Sequence, residues 1–590
     1  MSSPKRARLT INIGVTGHRD LALSENELTL LKSQVDLVLA EIQTFVKAIY
    51  KDPFCPFNNN PPVSRMISSL AEGSDRLVAK RALESGFELQ CPLPFHCEEY
   101  EKDFITRESL QEFRNLLEQS SAVLELDENR EPSRQGESYL SSGRVVLHQS
   151  DLIIAVWSGE EAKGKGGTGN IVEEAHSMGI PVLWIKSYAP FEITLIDVDE
   201  ELTGWKEGIE SYLISILNPF KKGIVPSFYF SEINPRNNWG FMYRMFKDLF
   251  ASFRLSLPQL KLRNFLQSTE EDWQQDWNLS PNLPPEYINQ ANSSFRDHYA
   301  WSDKLAIYYS NLYRSAYLLK YFFITLAVIS VAVGLYTNNW KALAFQIISM
   351  SITISFILYE NRQGWHRRFL DYRLLAEMLR IMRFLMPFGH SIPSINFSIG
   401  KEFQSTWLKW HFRAVIREAG LMHLRLDHNF REAYRTFFLK SELYSQQVFH
   451  TNNSIACGNI SRRLEKFSMF LFVLSLVFIV LRFVVFYYHD GSEPNWIREY
   501  SINIKEWCVI LPIIGSSFAG IRSQGEFSRL AIRSQAMTGS LEHIIKKLLN
   551  LEVVTIKKLE QYADETAYIM VDDVSDWQGL VKAKSLTLPL

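Results

Sequence analysis

A chain of 590 residues is longer than one hydrophobic core organises, so two or more domains are expected. Its 63 basic and 65 acidic residues leave a formal charge of -2, which provides no global field to draw it onto a nucleic-acid polymer, and no such partner is expected. Cys55, Cys91, Cys97, Cys457 and Cys508 form no CxxC pair and match no histidine spacing, which argues against a disulfide framework or a zinc site; no metal is expected.

The first residues, MSSPKRARLTINIG, run straight into a β-like segment without the apolar stretch and cleavage signal of a secretory leader, so the N-terminal domain is expected to stay in the cytoplasm. Leu9–Val15 reads as a strand ending in the turn Gly14-Val15-Thr16-Gly17-His18-Arg19. A helix follows from Ser24 to Tyr50, with Leu28, Leu31, Val35, Val38 and Ile42 three or four residues apart. Ile67–Leu70 is a short strand leading into Ala71-Glu72-Gly73-Ser74-Asp75-Arg76, and Leu77–Ser85 a helix closed by Gly86. Then come a strand at Phe87–Pro92, a helix at Glu98–Glu118, a strand at Ala122–Leu126, a polar loop at Asn129–Gly136 and a helix at Arg144–Gln149. The apolar strand Leu152–Trp157, the glycine-rich run Gly159–Gly169, a helix over Asn170–Ser177 and the strand Pro181–Ile185 complete an alternating pattern. Apolar strands separated by helices predict an α/β Rossmann-like domain over residues 1–190, with a mostly parallel sheet and ligands beyond the carboxyl ends of its strands. Residues 191–295 read as a connector or an extension of that domain, with helices near Gly204–Leu217 and Phe241–Leu255 and a Pro-rich, acidic interval at Glu270–Pro285.

The second half is predicted to be an all-α membrane domain with four transmembrane helices in two hairpins. Residues 318–336 and 342–359 are apolar runs of spanning length, since ~19 residues of helix cover ~28 Å. The short link Thr337–Lys341 makes them an antiparallel hairpin in a unit covering 296–390. A helical linker over 391–444 leads to a second unit, 445–590, with spans at 467–488 and 507–521 and a polar loop containing His489, Asp490 and Glu493. Arg314, Arg362, Arg367, Arg368 and Arg373 flank the first hairpin, and Arg462, Arg463, Arg522 and Arg529 the second, against Lys341 at the first tip. This asymmetry puts the hairpin ends, the inter-hairpin region and the C-terminus on the cytoplasmic side. Gly364, Phe369, Tyr372, Arg373 and Ala376 after the first hairpin, and Gly525, Phe527, Arg529, Ala531 and Arg533 after the second, suggest a duplicated unit. The arginines of the Trp365–Pro387 helix read first as a solvated stripe beside headgroups.

Two glycine-bounded turns follow candidate parallel strands, Gly14–Arg19 and Gly164–Asn170. Glycine lets backbone N–H groups approach a phosphate, and the helix after the second turn presents its positive end. Gly14, Thr16, Gly17, His18, Arg19, Glu72, Gly73, Ser74, Asp75, Arg76, Gly166, Gly167, Thr168, Gly169, Asn170 and Glu173 are the candidate ligand-binding residues, with Asp151 near them in the pattern. Neither G-x-G-x-x-G nor G-x-x-x-x-G-K-[ST] occurs in the required context, which argues against a standard dehydrogenase or ATPase.

Val15–Arg19, Ala71–Arg76 with Ala79, and Gly166–Glu174 resemble the SLOG superfamily, the Rossmann-like group of Lonely Guy phosphoribohydrolases and TRPM-type sensor domains. The phosphoribohydrolase pattern P-G-G-x-G-T-x-x-E meets Lys165–Glu173 here, with Lys165 and Asn170 in place of Pro and Thr. The resemblance assigns Glu173 the catalytic glutamate position, with no arginine matched to that family's catalytic arginine. Tyr308–Arg314, Phe369–Glu377 and Asp573–Trp577 are similar to SLATT domains, membrane modules of bacterial defence loci. The resemblances imply a bacterial inner-membrane effector that senses a nucleotide-derived ligand, such as ADP-ribose, NAD or a cyclic oligonucleotide, and gates a homo-oligomeric ion pore. Polar positions inside the spans, Gln346, Ser349, Thr353, Arg482, Ser516 and Ser517, are the pore candidates. The competing expectations are a membrane-anchored phosphoribohydrolase or NAD-processing enzyme using Glu173, and a non-conducting ligand-binding scaffold.

Overall fold

The computed structural model describes residues 3–127, 130, 135–161, 164–196, 201–202, 204–220, 227–254, 257, 260–337, 340–390, 407–488 and 495–582. In chain order the N-terminal domain runs β1 (Thr10–Gly17), α1 (Glu25–Lys51), β2 (Val63–Ile67), α2 (Ser74–Glu84), β3 (Glu88–Phe95), α3 (Cys97–Tyr100), α4 (Arg107–Glu118), β4 (Ala122–Asp127), α5 (Gln135–Gln149), β5 (Leu152–Trp157) and α6 (Thr168–Ser177). It closes with β6 (Val182–Lys186), β7 (Ile193–Ile196), β8 (Glu201–Leu202) and α7 (Trp205–Leu217). Local chemistry sets these boundaries. Ser24 and Glu27 form a reciprocal capping box that starts α1. Thr106 caps α4 by accepting the Ser109 N–H, so the helix expected over Glu98–Glu118 is two pieces. α5 starts at Gln135, nine residues before the expected helix, because its Ser- and Gly-rich first half carries little helix propensity and is held by packing.

The sheet has the order β8-β7-β6-β5-β1-β2-β3-β4-β9, where β9 is Leu424–Arg425. Every pairing from β6 across β5, β1, β2, β3 and β4 to β9 is parallel, and β7 and β8 extend the β6 edge antiparallel. β1 connects to β2 on one side while β5 lies on the other, so the topological switch falls between β1 and β5. The edge strand β9 comes from the region between the hairpins, some three hundred residues after β4.

The rest of the described chain is helical: α8 (Ser227–Phe230), α9 (Phe241–Ser252), α10 (Phe265–Asn278), α11 (Pro285–Ala291), α12 (Asp297–Thr337), α13 (Trp340–Gln363), α14 (Trp365–Leu385), α15 (Trp407–Ala419), α16 (His428–Phe437), α17 (Ser445–Tyr488), α18 (Asn495–Gly525), α19 (Phe527–Leu549) and α20 (Ile556–Lys582). α12, α13 and α17 each lie in a helical stretch long and apolar enough to cross a bilayer. Only 33%, 11% and 11% of their most apolar windows are buried within the chain, so their outer faces need lipid. The protein is thus a multi-pass membrane protein with a large extramembrane part. α18 lies antiparallel on α17: Ser475 donates to the Cys508 carbonyl at 3.0 Å, and Ser468 to the Gly515 carbonyl at 2.7 Å. The tips at 338–339 and 489–494, the latter with His489, Asp490 and Glu493, and residues 391–406 lie outside the described residues.

The two halves of the helical part repeat the same devices. A π-helical turn precedes each long helix, Asn292–Arg296 before α12 and Phe438–Tyr444 before α17. After each hairpin the chain bends through one left-handed residue, Gly364 at φ 61° before α14 and Glu526 at φ 49° before α19.

The second half of the α14 arginine stripe is not solvated, which corrects the first reading there: Arg380 and Arg383 are both buried, while Arg367 at the start of the helix stays exposed. Arg380 reaches Glu442 at 3.0 Å and also pairs with Glu377. Arg383 reaches Glu442 at 2.6 Å and Asp276 at 2.8 Å, and its guanidinium lies 4.9 Å over Trp273 and 5.2 Å over Trp277. The expected Pro-rich acidic interval is therefore largely α10, and its Trp273, Asp276 and Trp277 clamp α14. A buried pair left with one charge costs ~3–5 kcal/mol. Glu442→Ala should destabilise the detergent-solubilised protein by that order in chemical unfolding, whereas Arg114→Gln, at an exposed pair with Glu101, should leave the midpoint unchanged.

Candidate functional site

A cavity of about 510 Å³ opens at the carboxyl ends of β1 and β5, where the strand order reverses. Its floor is Val15, Thr16 and Gly17 of β1. One wall is the Gly164–Gly169 loop, and the other is α5 through Tyr139, Ser142, Gly143 and Val146. Gly166 sits at φ 80°, in the left-handed region, and a Cβ there would meet the Leu140 backbone nitrogen at 2.9 Å. A side chain on Gly166 therefore fits neither the turn nor the space. Gly167 occupies the N-cap position of α6 and offers no side-chain oxygen, so the first amides of α6 face the cavity side uncapped.

Charge is placed around that seat. Arg19 stacks over Tyr139 with its guanidinium 4.9 Å from the ring centre and lies 3.7 Å from Asp103. Burial opposes its charge, but the Tyr100 and Tyr139 phenols and the Asp103 carboxylate outweigh this and raise its pKa. His18 Nε2 accepts the Ser158 N–H at 2.9 Å, which pins the imidazole at the end of β5. Asp75 is buried in the cavity wall, and desolvation lifts its pKa to about 7 against the pull of Arg19 and the Ala71 N–H. An uncapped helix end, a cation on an aromatic ring and a buried carboxyl group with a raised pKa can seat a phosphate, flank a flat ring and hydrogen-bond a hydroxyl.

Of the residues expected from the sequence, Thr16, Gly17, His18, Arg19, Asp75, Gly166, Gly167, Thr168 and Gly169 line the cavity. Gly14, Glu72, Gly73, Ser74, Arg76, Asn170 and Glu173 do not. Gly14 leaves room for Val146, Ser150 and Ile153 against β1. Gly73 stands at φ 82° with its Cα against the Arg19 carbonyl, and Ser74 donates its N–H and hydroxyl to the His18 carbonyl at 3.1 and 2.9 Å. Arg76 is buried over Phe104 at 4.1 Å and donates to the Leu70 and Ser109 carbonyls, while Glu72 accepts the Ser109 hydroxyl. That motif holds the His18–Arg19 turn in shape. Glu173 is exposed on the far face of α6, so the position assigned to a catalytic glutamate does not point into the cavity. Asp151, at the start of β5, belongs to the opposite end of the sheet, where it pairs with Arg417 of α15 at 2.7 Å. Sequence reading missed Tyr100, Tyr139, Ser142, Gly143 and Trp157; the small residues of α5 were the available signal.

In the membrane helices, Ser349 and Thr353 are buried on α13, which packs back along α12, and Gln346 is half-buried. Ser517 shares a hydrogen bond with Thr325 of α12 and thereby ties the two hairpins together. Ser516 and Arg482 are exposed. His390, after α14, faces Glu560 at 2.8 Å from Nε2 and Asp564 at 3.3 Å from Nδ1. These groups are close enough for a metal-ligand set. Both ring nitrogens already face carboxylates, however, and despite burial those hydrogen bonds raise the pKa to about 10, the state of an imidazolium held in an ion triad.

The chain matches no family model, no curated protein and no solved structure.

Asp75 carries a pH signature. Its pKa is about 7 when folded and near 3.8 when unfolded, so its stabilising share is complete below the lower value and fades as pH rises through the higher one. Asp75→Asn should flatten the fall in thermal stability between these two values and leave the variant the more stable of the two on the alkaline side, by a few kcal/mol at ~1.4 kcal/mol per unit.

Proposed function

We propose that the cavity binds a nucleotide-derived ligand and that its occupancy gates an ion-conducting homo-oligomer through the two hairpins, with α18 as the fourth span. This is the role implied by the SLOG and SLATT resemblance. The observation that carries the reading is the uncapped, glycine-built N-terminus of α6 set opposite Arg19 at the switch point of a parallel sheet. Such a seat suits the phosphate of ADP-ribose, NAD or a cyclic oligonucleotide, with Tyr139 and Trp157 as flanking rings. The exposed position of Glu173 favours binding over hydrolysis at the same site.

α5 supplies the mechanical route. It lines the cavity at Tyr139, Ser142 and Gly143, and at its other end Gln149 donates to the Gly389 carbonyl at 2.7 Å. His148 stacks on His390 at 4.6 Å, so α5 touches the segment that closes α14, which follows the α12–α13 hairpin. A ligand that shifts α5 alters its contact with α14. Four helices per chain are too few to line an aqueous path, so conduction requires several copies.

Calorimetry on the full-length protein should detect binding of one member among ADP-ribose, NAD, nucleoside monophosphates and cyclic oligonucleotides, and Gly167→Trp should abolish it. Silence across the whole panel would remove the sensing reading. In liposomes the bound ligand should trigger ion flux, and Gln149→Ala should reduce that flux at least about tenfold, a coupling loss of ~1.4 kcal/mol, with ligand affinity little changed. Binding without flux in verified bilayers would leave the scaffold reading in its place.

A further inference from the structure

The segment 236–263 lines no part of the cavity and contributes no apolar span, and its composition is unlike the rest of the chain. It holds Arg236, Arg244, Lys247, Arg254, Lys261 and Arg263 against the single acid Asp248. Its helix, α9, is amphipathic: Tyr243, Phe246 and Phe250 face inward onto Tyr313, Tyr317, Tyr321, Ile460 and Phe527. The opposite side exposes Arg244 and Leu249.

Both ends of α9 are fixed at the height where the chain enters the bilayer. At its start Ser315 accepts the Tyr243 N–H at 3.0 Å and donates to the Gly240 carbonyl at 3.0 Å, three residues before the apolar run at 318. At its end Arg463 donates to the Phe250 carbonyl at 2.8 Å and Asn459 to the Ala251 carbonyl at 3.4 Å, just before the apolar run at 467. The helix therefore bridges the feet of α12 and α17 at the level of the lipid headgroups. The chain then returns, with Asn238 N–H donating to the Leu260 carbonyl at 2.8 Å and Leu262 N–H to the Arg236 carbonyl at 3.0 Å. These two bonds hold residues 236–238 beside 260–262.

At the two ends of α9 large apolar side chains stand uncovered by the protein. Trp239 is 68% exposed, Phe253 75% and Leu257 91%, and the Arg463 guanidinium lies 3.8 Å over the Phe253 ring. Trp and Phe with a surplus of Arg and Lys, on a helix lying across the feet of membrane spans, is the chemistry of a surface-seated helix that takes anionic headgroups.

We propose that α9 and the residues at its two ends form an interfacial anchor, seated among anionic phospholipid headgroups of the leaflet on the side of the α/β domain. Trp239, Phe253 and Leu257 enter the acyl boundary, and Arg244, Arg254 and Lys261 meet the phosphates. Continuity with the spans of α12 and α17 makes the bilayer that surrounds them the occupant.

The test uses the full chain with its five cysteines replaced by serine, carrying a nitroxide at Trp239→Cys or Phe253→Cys, in nanodiscs of phosphatidylcholine with about one-third phosphatidylglycerol. Both labels should favour oxygen over a water-soluble nickel relaxant, while a label at Ile105→Cys, 96% exposed in the α/β domain, should favour nickel. Labels at 239 and 253 as nickel-accessible as the one at 105, or broadened by spin coupling between copies, would overturn the proposal, the second result marking a protein interface. Lipid retained by the protein purified from those discs should be enriched in phosphatidylglycerol about twofold over the supplied ratio, and Arg244→Gln/Arg254→Gln/Lys261→Gln should remove the enrichment. No enrichment in the parent protein, or equal enrichment in the triple variant, would overturn the anionic-lipid half of the claim.

Discussion

The architecture turns on the burial of three charged side chains, Arg380, Arg383 and Glu442. Glu442 lies on the π-helical turn before α17 and both arginines on α14, so the carboxylate and the guanidinium groups come from opposite repeats. Ions removed from water are tolerated only when every one finds its partners, and each alternative placement of α14 would strand at least one. The pairing therefore sets the position of one hairpin unit relative to the other more tightly than apolar contact could. Asp276 extends the constraint to α10, and Trp273, Trp277 and Phe437 wall it off from water.

The same demand for satisfied buried charge welds the α/β domain to the helical part. Arg417 of α15 pairs with Asp151 at 2.7 Å, and Arg65 donates to the Asn12 side chain and to the Arg417 carbonyl at 3.1 and 2.7 Å. These bonds sit at the amino ends of β1, β2 and β5, away from the cavity. β9 then completes the sheet edge beside β4. One end of the sheet is committed to the inter-hairpin region and the other is left open as a site. Inner core residues of α14, α15, α16, α19 and α20 accordingly form one cluster with those of the sheet.

What the sequence exposed and what it hid follow from the range of the interactions involved. β1, α1, α2, β5 and β6 were legible because each carries its own period, cap or apolar run. The spans of α12, α13 and α17 were legible for the same reason. α5 was half hidden, since Ser142 and Gly143 serve close approach to β3 and α6 and Ser138 bonds Asp127 of β4, and small residues speak weakly for a helix. β9 was invisible, because two residues pair with a strand three hundred positions away and carry no pattern of their own. In the site, the glycine turns announced themselves through backbone need. Glu72, Ser74 and Arg76 sat in an equally suggestive motif, yet their side chains support the turn from behind. Tyr139 and Trp157 gave no local sign at all.

The coupling proposed between the cavity and the helical part is bounded by the contacts that would have to carry it. A ligand moves a two-state equilibrium only by the difference in its affinity for the two states. The contacts available for that difference are few: α5 meets the end of α14 through the Gln149 bond, the His148–His390 stack and the packing of Val145 on Gly389. Contacts of this kind carry a few kcal/mol together. That is enough for a shift of a hundredfold or so, at ~1.4 kcal/mol per factor of ten, and too little to break the buried Arg380–Arg383–Glu442 cluster. Under the proposed sensing role, a shift of α5 would carry α14 and its clamp as one body, and the left-handed bends at Gly364 and Glu526, each ahead of the helix that follows, are the places where the backbone turns between them and the long apolar helices.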